Sequence, residues 1–434
     1  MDYCKRCLYP ANAKPAIIFD DDGVCSGCRY HESRRRIDWP AREAMLRELL
    51  TEFKRRAREA GQVYDCIIPV SGGKDSHFQV HLVKVVYGLN PLLVTFNHCF
   101  NSRLGVRNLA NLVQQLGCDL IRVTANPQSV RKIARTMVKR VGDLTWHYHA
   151  GIRTVPFQVS VNYNIPLIIW GEHGFAELTG MFTLDDLVEF TKWTRQEHDM
   201  RGVEAEELID AEAGISPTDI VPYIFPAESE IERVGVRGIY LSNFLYWDAK
   251  QQAELVIDRY NFRPFSARRD RTFNLYSKTD DHANAVHDYM KFLKFGYGRA
   301  TDDASTEIRH GRMTREEGIE MVRHYDHVRP QTLDTYLKFL GMSEVEFEDC
   351  LTSMRDPDIW QRDAAGRWQV TDSVVNHAHD KGVDAVRVPQ VTDRTVSPRN
   401  RHLYWQGAAA ADAYRVERAP TVRESTTDDE FIIL

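Results

Sequence analysis

The sequence has no long apolar run, and none of its segments approaches the roughly 18 residues that cross a lipid bilayer. Its N-terminal residues also lack the basic segment followed by an apolar one that marks a secretory leader. These two absences predict a cytoplasmic protein without a membrane partner.

Excess positive charge is absent as well. The 56 basic residues are outnumbered by 62 acidic ones, and the net charge is −6. A protein whose main partner is nucleic acid usually carries a basic surface. The clusters Arg34–Arg36 and Lys54–Arg56 are interpreted as solvated helix faces. We therefore expect no nucleic-acid partner.

Cysteine is scarce, because eight residues in a chain of 434 are too few for a disulfide framework. Four of them nevertheless form two close pairs, Cys4 with Cys7 and Cys25 with Cys28. The spacing C-x2-C-x17-C-x2-C suits four thiolates around a tetrahedral zinc ion. Since four protein ligands leave no coordination position for a substrate, the sequence predicts a structural zinc knuckle.

The stretch Tyr64–His77, Y-D-C-I-I-P-V-S-G-G-K-D-S-H, joins a short apolar run to a glycine turn. Cys66–Val70 predicts a buried strand, Ser71–Gly73 a tight turn, and the residues from Asp75 a helix. Such an arrangement binds phosphate, because bare backbone and the N–H groups of a helix N-terminus can approach the anion. Lys74 is expected to be an exposed residue of this turn.

The chain after this turn alternates between predicted strands and helices. The strands are 91–97, 119–124 and 165–170, and the helices are 104–116, 127–141 and 151–163. The alternation predicts an α/β fold with a doubly wound parallel sheet. Ligands of such sheets lie beyond the carboxyl ends of the strands. The residues expected there are Phe96, Asn97, His98, Gly171, Glu172 and His173.

Beyond Gly180 the alternation stops and the sequence becomes helical and charged. Helices are predicted over 184–198, 203–213, 248–260 and 280–295, with a strand over 238–241. Thr301 is predicted to cap a further helix, and Thr314 opens another with a capping box. One or two helices follow up to Met354, and the residues from about 393 are expected to be extended or disordered.

The six residues Ser71–Ser76, S-G-G-K-D-S, resemble the pyrophosphate-binding loop (PP-loop) of the ATP pyrophosphatase superfamily. The chain also contains I-P-L-I-I-W-G-E (165–172), H-D-Y-M-K-F-L-K-F-G-Y-G-R-A-T-D (287–302) and I-R-H-G-R-M-T-R-E-E (308–317). With the cysteine knuckle, these segments resemble the N-acetyl sugar amidotransferase family over about residues 2–330. That family makes acetamidino sugars for lipopolysaccharide and for pseudaminic and legionaminic acids.

The resemblance and the patterns together divide the chain into six parts. They are a zinc knuckle (1–36), a linker helix (37–62), a PP-loop ATP pyrophosphatase domain of the adenine nucleotide alpha hydrolase-like type (63–180), a helical substrate or partner region (181–330), a helical C-terminal extension (331–392) and a tail (393–434).

The resemblance implies that ATP adenylates the N-acetyl oxygen of a sugar and that ammonia then displaces AMP. It implies ATP and Mg²⁺ as cofactors beside the structural zinc. The residues implied to bind ATP are Ser71, Gly72, Gly73, Lys74, Asp75 and Ser76. The position of ligands beyond the strand ends adds Phe96, Asn97 and Gly171 to this set. Those implied to be catalytic are Lys74, Asp75, Glu172 and His149. Those implied to contact the sugar are Arg153, Trp247, Asp248, Arg299 and Asp302.

The sequence departs from the family's pattern on the acceptor side, at His173, Leu178–Gly180, Asn243 and Arg271. The acceptor sugar is therefore left open. No segment offers a glycine-flanked nucleophilic cysteine with the His/Glu set that a glutaminase needs. The resemblance accordingly implies that ammonia comes from a separate glutaminase with a cyclase-like partner.

Two other functions stay open at this point. A tRNA sulfur transferase can combine zinc knuckles with the same loop, and Cys99, just after the second strand, is its best thiol. The acidic net charge weighs against this reading. The other alternative is a nonenzymatic ATP-binding scaffold, and the intact Lys74 and Asp75 weigh against that one.

Overall fold

The computed structural model describes residues 1–267, 269–380 and 382. Within those ranges no helix is both long and apolar enough to cross a membrane. The tail predicted from residue 393 lies outside the described residues.

The N-terminal lobe is built around the four cysteines of the knuckle. The residues before Cys25 fold back on themselves through antiparallel bridges, and α1 (Ser26–Ser33) begins directly after Cys25. Helix α2 (Trp39–Glu59) follows, and the Asp38 carboxylate caps its first turn by accepting a hydrogen bond from the Ala41 N–H. The apolar side of α2 packs on the central sheet.

The central sheet has five strands, all parallel, in the order β3-β2-β1-β4-β5. They are β1 (Cys66–Pro69), β2 (Pro91–Asn97), β3 (Leu120–Thr124), β4 (Leu167–Trp170) and β5 (Arg237–Tyr240). The predicted α/β class is confirmed, and the predicted strands agree with the observed ones within two residues. Because β5 pairs with β4, one sheet continues past the expected domain boundary at residue 180.

Helices cover both faces of this sheet. Their bounds are α3 (Lys74–Val80), α4 (Arg103–Leu116), α5 (Pro127–Val141), α6 (Trp146–Tyr163), α7 (Gly174–Thr179), α8 (Lys192–Thr194), α9 (Pro217–Ile220) and α10 (Glu228–Val234). Alternate residues of β1 enter different cores: Cys66 and Ile68 pack toward α2, α3 and α4, whereas Ile67 packs toward α5 and α6. Both faces of the strand are therefore apolar.

The predicted helices over 184–198 and 203–213 are largely wrong. The structure has only α8, a π-helical turn at Arg195–Asp199 and a 3-10 turn at Ala205–Leu208. Leu187, inside the first predicted helix, has φ of +46°, which a right-handed helix does not allow. The Phe190 N–H instead donates to the Gly238 carbonyl, which ties the segment to β5.

The C-terminal part carries helices and one hairpin. They are α11 (Ala249–Tyr260), α12 (Ala283–Phe295), α13 (Arg299–Arg309), α14 (Arg315–Tyr325), α15 (Leu333–Leu340), α16 (Glu344–Thr352), β6 (Trp360–Arg362) and β7 (Trp368–Val370). The capping box at Thr314 is confirmed. Thr301 is not a cap, because α13 begins two residues earlier and the Asp326 carboxylate accepts from the N–H groups of Gly298 and Ala300. The residue that follows the next helix thus replaces the local cap.

Candidate functional site

The Ser71–Ser76 loop connects the carboxyl end of β1 to α3. Gly72 has φ of +87°, and a Cβ atom there would lie 2.7 Å from the Leu109 backbone, so only glycine fits the turn. The Ser76 hydroxyl accepts from the Ser71 N–H at 3.0 Å, which closes the loop on itself. Gly73 is the N-cap of α3, and its side-chain-free backbone leads into the free N–H groups of the first turn. This geometry suits an anion.

Lys74 lies beside Asp75 at the start of α3. The ammonium is 2.5 Å from Asp75 Oδ2, and the Lys74 residue is only 5% exposed. The expectation of an exposed lysine is wrong, and the Tyr276 ring of the C-terminal part lies 5.9 Å from the ammonium. Asp75 Oδ1 is buried and has no hydrogen-bond partner among the described residues. The pair therefore offers both a cation and a carboxylate oxygen that has no hydrogen-bond partner among the described residues.

Glu172 lies two residues after the end of β4 and interacts electrostatically with the same pair. Burial raises the pKa of the Glu172 carboxyl to about 7, the Asp75 carboxylate adds to the rise, and Lys74 opposes it. A carboxyl group with this pKa can hold or release a proton near neutral pH. The carboxyl ends of β1 and β4, which are neighbours in the sheet, thus bring Lys74, Asp75 and Glu172 together.

Gly171 is held between two side chains from other elements. A Cβ atom on Gly171 would lie 2.1 Å from Gln79 Nε2 and 3.1 Å from Trp247 Cη2. Gln79 Oε1 is buried and lacks a partner among the described residues. Sequence reasoning missed Gln79, although it lies four residues after Asp75 and so on the same face of the helix.

A crevice opens where β1 and β2 end. It is lined by Val70, Ser71, Thr95, Phe96, Asn97, His98, Asn101, Gly105, Val106, Leu109, Arg122, Tyr148 and Ile152. Phe96 and Asn97, implied to bind ATP, therefore share a cavity with Ser71, as the position of ligands in parallel sheets predicts. His173 instead plays a structural part, since its ring nitrogen caps α7 by accepting from the Ala176 N–H.

The structure adds an acidic segment that sequence reasoning missed. A bridge between Asn101 and Asp281 brings residues 278–281 to the end of β2. Asp281 Oδ1 lies 3.8 Å from His98 Nδ1, and burial raises the pKa of the Asp281 carboxyl to about 7. Burial also lowers the pKa of the Lys278 ammonium to about 8. The run K-T-D-D (278–281) was the sequence signal that could have identified this segment. Adjacent charged residues are seldom buried unless they are paired or functional.

His149 lies inside α6, which begins at Trp146 and not at Gly151 as predicted. Its ring centroid is 5.9 Å from that of His287, whose Nδ1 is 3.7 Å from Asp143 Oδ1. Burial holds the pKa of His149 well below its usual value, although Asp143 opposes the shift. The structure thus places His149 in a buried histidine–carboxylate cluster.

Arg153 and Trp247 lie on the two sides of β4. Arg153 Nε is 3.2 Å from Asp199 Oδ1, and the guanidinium carbon lies 4.6 Å from the centroid of the Trp170 ring. Trp247 is 4% exposed and packs edge-on against Phe78 of α3. Both side chains have firm structural partners here.

The other residues implied to contact the sugar belong to two ion-pair groups. Asp248 caps α11 and lies 3.0 Å from the Arg312 guanidinium. Arg299 forms a bidentate pair with Asp288 and lies 3.2 Å from Asp302. Asp302 additionally accepts from Lys291 at 2.6 Å and from the Tyr9 hydroxyl at 2.8 Å.

Asp248, Arg299 and Asp302 therefore all form ion pairs within the protein, and each has a structural role. The second group also joins α12 and α13 to the knuckle, because Tyr9 lies between two of its cysteines in the chain.

The knuckle cysteines converge on one point. The Sγ atoms of Cys4, Cys7, Cys25 and Cys28 all lie within 4.8 Å of one another, and all four residues are buried. Two of the Sγ–Sγ distances are 4.0 Å, for Cys4 and Cys28, and 3.6 Å, for Cys7 and Cys25. A tetrahedron with Zn–S bonds of about 2.3 Å has edges of about 3.8 Å. The cluster therefore has the dimensions to bind zinc.

We expect metal analysis of the reduced protein to give one zinc per chain. Cys25→Ser should lower zinc content and the melting temperature, because a four-thiolate site supplies much of the folding free energy of a small lobe. Cys350→Ser is the matched control, since this half-buried thiol on α16 lies outside the cluster. A folded wild-type protein that contains no zinc would contradict the assignment.

A family model matches the C-terminal part of the chain. Residues 258–374 match the family described as "LPS biosynthesis protein WbpG-like, C-terminal domain". The match runs from the end of α11 through α16 and the hairpin, so it contains Lys278, Asp281, Arg299 and Asp302.

Two individual proteins are also similar to parts of the chain. The uncharacterized protein MJ1599 of Methanocaldococcus jannaschii is 25% identical over 118 residues, which is 27% of this chain. This chain spans about two fifths (41%) of the length of that curated relative. NMN synthetase from Francisella tularensis aligns with 44% of this chain and 91% of its own, at 15% identity and a TM-score of 0.24.

Proposed function

We propose that the protein is an ATP-dependent amidotransferase that converts the N-acetyl group of a sugar into an acetamidino group. The observation that carries the proposal is the grouping of Lys74, Asp75 and Glu172. The carboxyl ends of two neighbouring parallel strands bring together a glycine loop, a buried lysine, an unpartnered carboxylate oxygen and a carboxyl with pKa about 7.

The proposed reaction has two steps. The acetamido oxygen attacks the α-phosphorus of ATP and pyrophosphate leaves, which forms an adenylated imidate. Ammonia then adds to the imidate carbon, a proton is lost, and AMP departs with the former amide oxygen. Adenylation is needed because an amide oxygen is a poor leaving group.

The loop and its neighbours have distinct roles in this scheme. Residues 71–76 hold the pyrophosphate, and the Lys74 ammonium neutralises its charge. Asp75 Oδ1 is an oxygen of the type that Mg²⁺ prefers. Glu172 accepts the proton that ammonia loses, since a carboxylate with pKa about 7 is a stronger base than an ordinary one.

The acceptor belongs to polysaccharide synthesis in this proposal. Support comes from the matching family, whose name refers to LPS biosynthesis, and from the position of the match over the acidic segment 278–281. Phe96, Asn97 and Gly171 complete the ATP side, and Arg153, Trp247, Asp248, Arg299 and Asp302 stay candidates for the sugar side, with His149. Ammonia comes from a separate glutaminase with a cyclase-like partner.

The test is incubation of the purified chain with Mg·ATP, a panel of N-acetylated nucleotide sugars and nonulosonic acids, and either ammonium or glutamine. We expect AMP, pyrophosphate and the mass decrease that replacement of an oxygen by an imino group produces, with ammonium alone. Turnover should increase from pH 7 to 9 at fixed total ammonium, because only about 1% is uncharged ammonia at neutral pH. Glutamine should support turnover only after a glutaminase is added.

Two results would contradict the proposal. Formation of ADP and phosphate would show that ATP is cleaved at the other phosphate bond. Robust turnover with glutamine and no added partner would reveal a glutaminase site within this chain.

The geometry of Cys99 disfavours the thiolation alternative. The Cys99 residue is 2% exposed and its backbone has φ of +73°. Burial raises the pKa of the thiol to about 11, whereas a sulfur carrier works as the accessible thiolate.

A further inference from the structure

Arg309, the last residue of α13, lies between the cysteine knuckle and α7. The residue is 4% exposed. Its Nη2 atom lies 3.5 Å from Cys25 Sγ and 3.8 Å from Cys7 Sγ. Its Nη1 atom donates to the carbonyl oxygens of Leu178 at 2.8 Å and Glu177 at 3.2 Å. One guanidinium thus contacts two metal-binding thiols and the helix that follows Glu172.

Gly27, the third residue of C-S-G-C, makes room for this guanidinium. A Cβ atom on Gly27 would lie 2.4 Å from Arg309 Nη2 and 2.6 Å from the Leu178 carbonyl oxygen. The Tyr9 ring, 5.2 Å from the guanidinium carbon, lies against it as well. The site for the arginine is therefore built from the knuckle itself.

The charge of the knuckle explains why a cation is buried there. Four thiolates and one Zn²⁺ ion leave a net charge of −2, which is costly to bury without compensation. Cys4 Sγ accepts two backbone N–H groups, from Cys7 at 3.4 Å and Cys25 at 3.3 Å. The guanidinium compensates the charge of the Cys7 and Cys25 thiolates. Because its N–H groups form a planar fork, it can donate to sulfur and to a carbonyl oxygen at the same time.

The knuckle that holds Arg309 also packs against α7. Ser26 Oγ donates to the Thr179 carbonyl at 2.6 Å, and a Cβ atom on Gly180 would lie 2.3 Å from the Ser26 carbonyl oxygen. The Arg34 guanidinium also contacts the Glu177 carboxylate. The knuckle therefore packs directly against the short helix that begins two residues after Glu172.

We infer that Arg309 is a positioning residue that holds zinc in the knuckle and fixes α7, the helix that begins two residues after Glu172. This inference concerns metal retention and local order, so it is independent of the proposed reaction. Outer-shell partners of metal ligands typically contribute about 10- to 100-fold to metal affinity.

The test measures zinc release from the full-length protein to a chromophoric chelator. We expect Arg309→Met to speed release about 10- to 100-fold, and Arg309→Lys, which keeps the charge but loses the fork, to give a smaller increase. Arg29→Met is the control, because Arg29 lies on the knuckle helix with a guanidinium paired to Asp20, Asp22 and Glu32. It should release zinc at the wild-type rate.

Hydrogen exchange of the peptide that contains residues 172–180 is the second readout. Arg309→Met should increase its exchange, whereas Arg29→Met should not. Gly27→Ala tests the same contact, since its methyl group would displace the Arg309 guanidinium. This variant should also show faster zinc release and increased exchange of residues 172–180. A folded Arg309→Met protein that lacks zinc would support the inference. Zinc release and exchange equal to those of Arg29→Met would overturn it.

Discussion

Replacing Lys74 by methionine is expected to reduce kcat about 100- to 1,000-fold, the loss that follows removal of one charged or hydrogen-bonding group from a transition state. The ammonium lies 2.5 Å from Asp75 beside the glycine loop, where the charge of departing pyrophosphate would develop. Methionine keeps most of the apolar stem and removes the charge. The Asp75 and Glu172 carboxyl groups then face each other without the cation that opposes the Glu172 shift.

The measurement compares kcat and the melting temperature of Lys74→Met with those of Lys84→Met. Lys84 is a partly buried lysine in the continuation of the same helix, and its ammonium contacts the Gly117 carbonyl oxygen at the other end of the sheet. Lys84→Met should leave kcat near the wild-type value. Equal losses of kcat in the two variants would remove Lys74 from the proposed chemistry.

Replacing Glu172 by glutamine is expected to lower kcat about 100- to 10,000-fold, the usual contribution of a general base. The same change should stabilise the folded protein at high pH. The Glu172 pKa of about 7 is raised above the ordinary value near 4.5, so the folded state binds the proton more tightly than the unfolded state. Ionisation of this carboxyl therefore costs stability between about pH 4.5 and 7, and the full cost is present above pH 7.

Urea unfolding at pH 8 and pH 4.5 checks this expectation. Glu172→Gln should be more stable than the wild type by about 3 kcal/mol at pH 8, and the difference should nearly vanish at pH 4.5. Glu189→Gln is a suitable control, since Glu189 pairs with Arg237 near the protein surface, at the start of β5. A variant that loses activity without any gain of stability at pH 8 would contradict the raised pKa.

Several features of this protein were determined by the sequence alone. The apolar run Cys66–Val70, the glycine turn and the alternating elements up to residue 170 predicted the sheet, because period and turn chemistry are local properties. The cysteine spacing likewise predicted the cluster, since four ligands in two short pairs need few other residues to converge. The capping box at Thr314 is equally local, with all its atoms within four residues.

Other features were decided only by the tertiary structure, since they depend on residues far apart in the chain. Lys74 is buried beside the ring of the distant Tyr276, and α13 is capped by Asp326 where the sequence indicated Thr301. The placement of Asp281 beside His98 required the bridge to Asn101.

Arg309 shows the same limit most clearly. Nothing in I-R-H-G-R marks one arginine as a partner of cysteines that are 284 and 302 residues away. Burial and partner charges set the chemistry of each group, and both arise only when distant segments pack together.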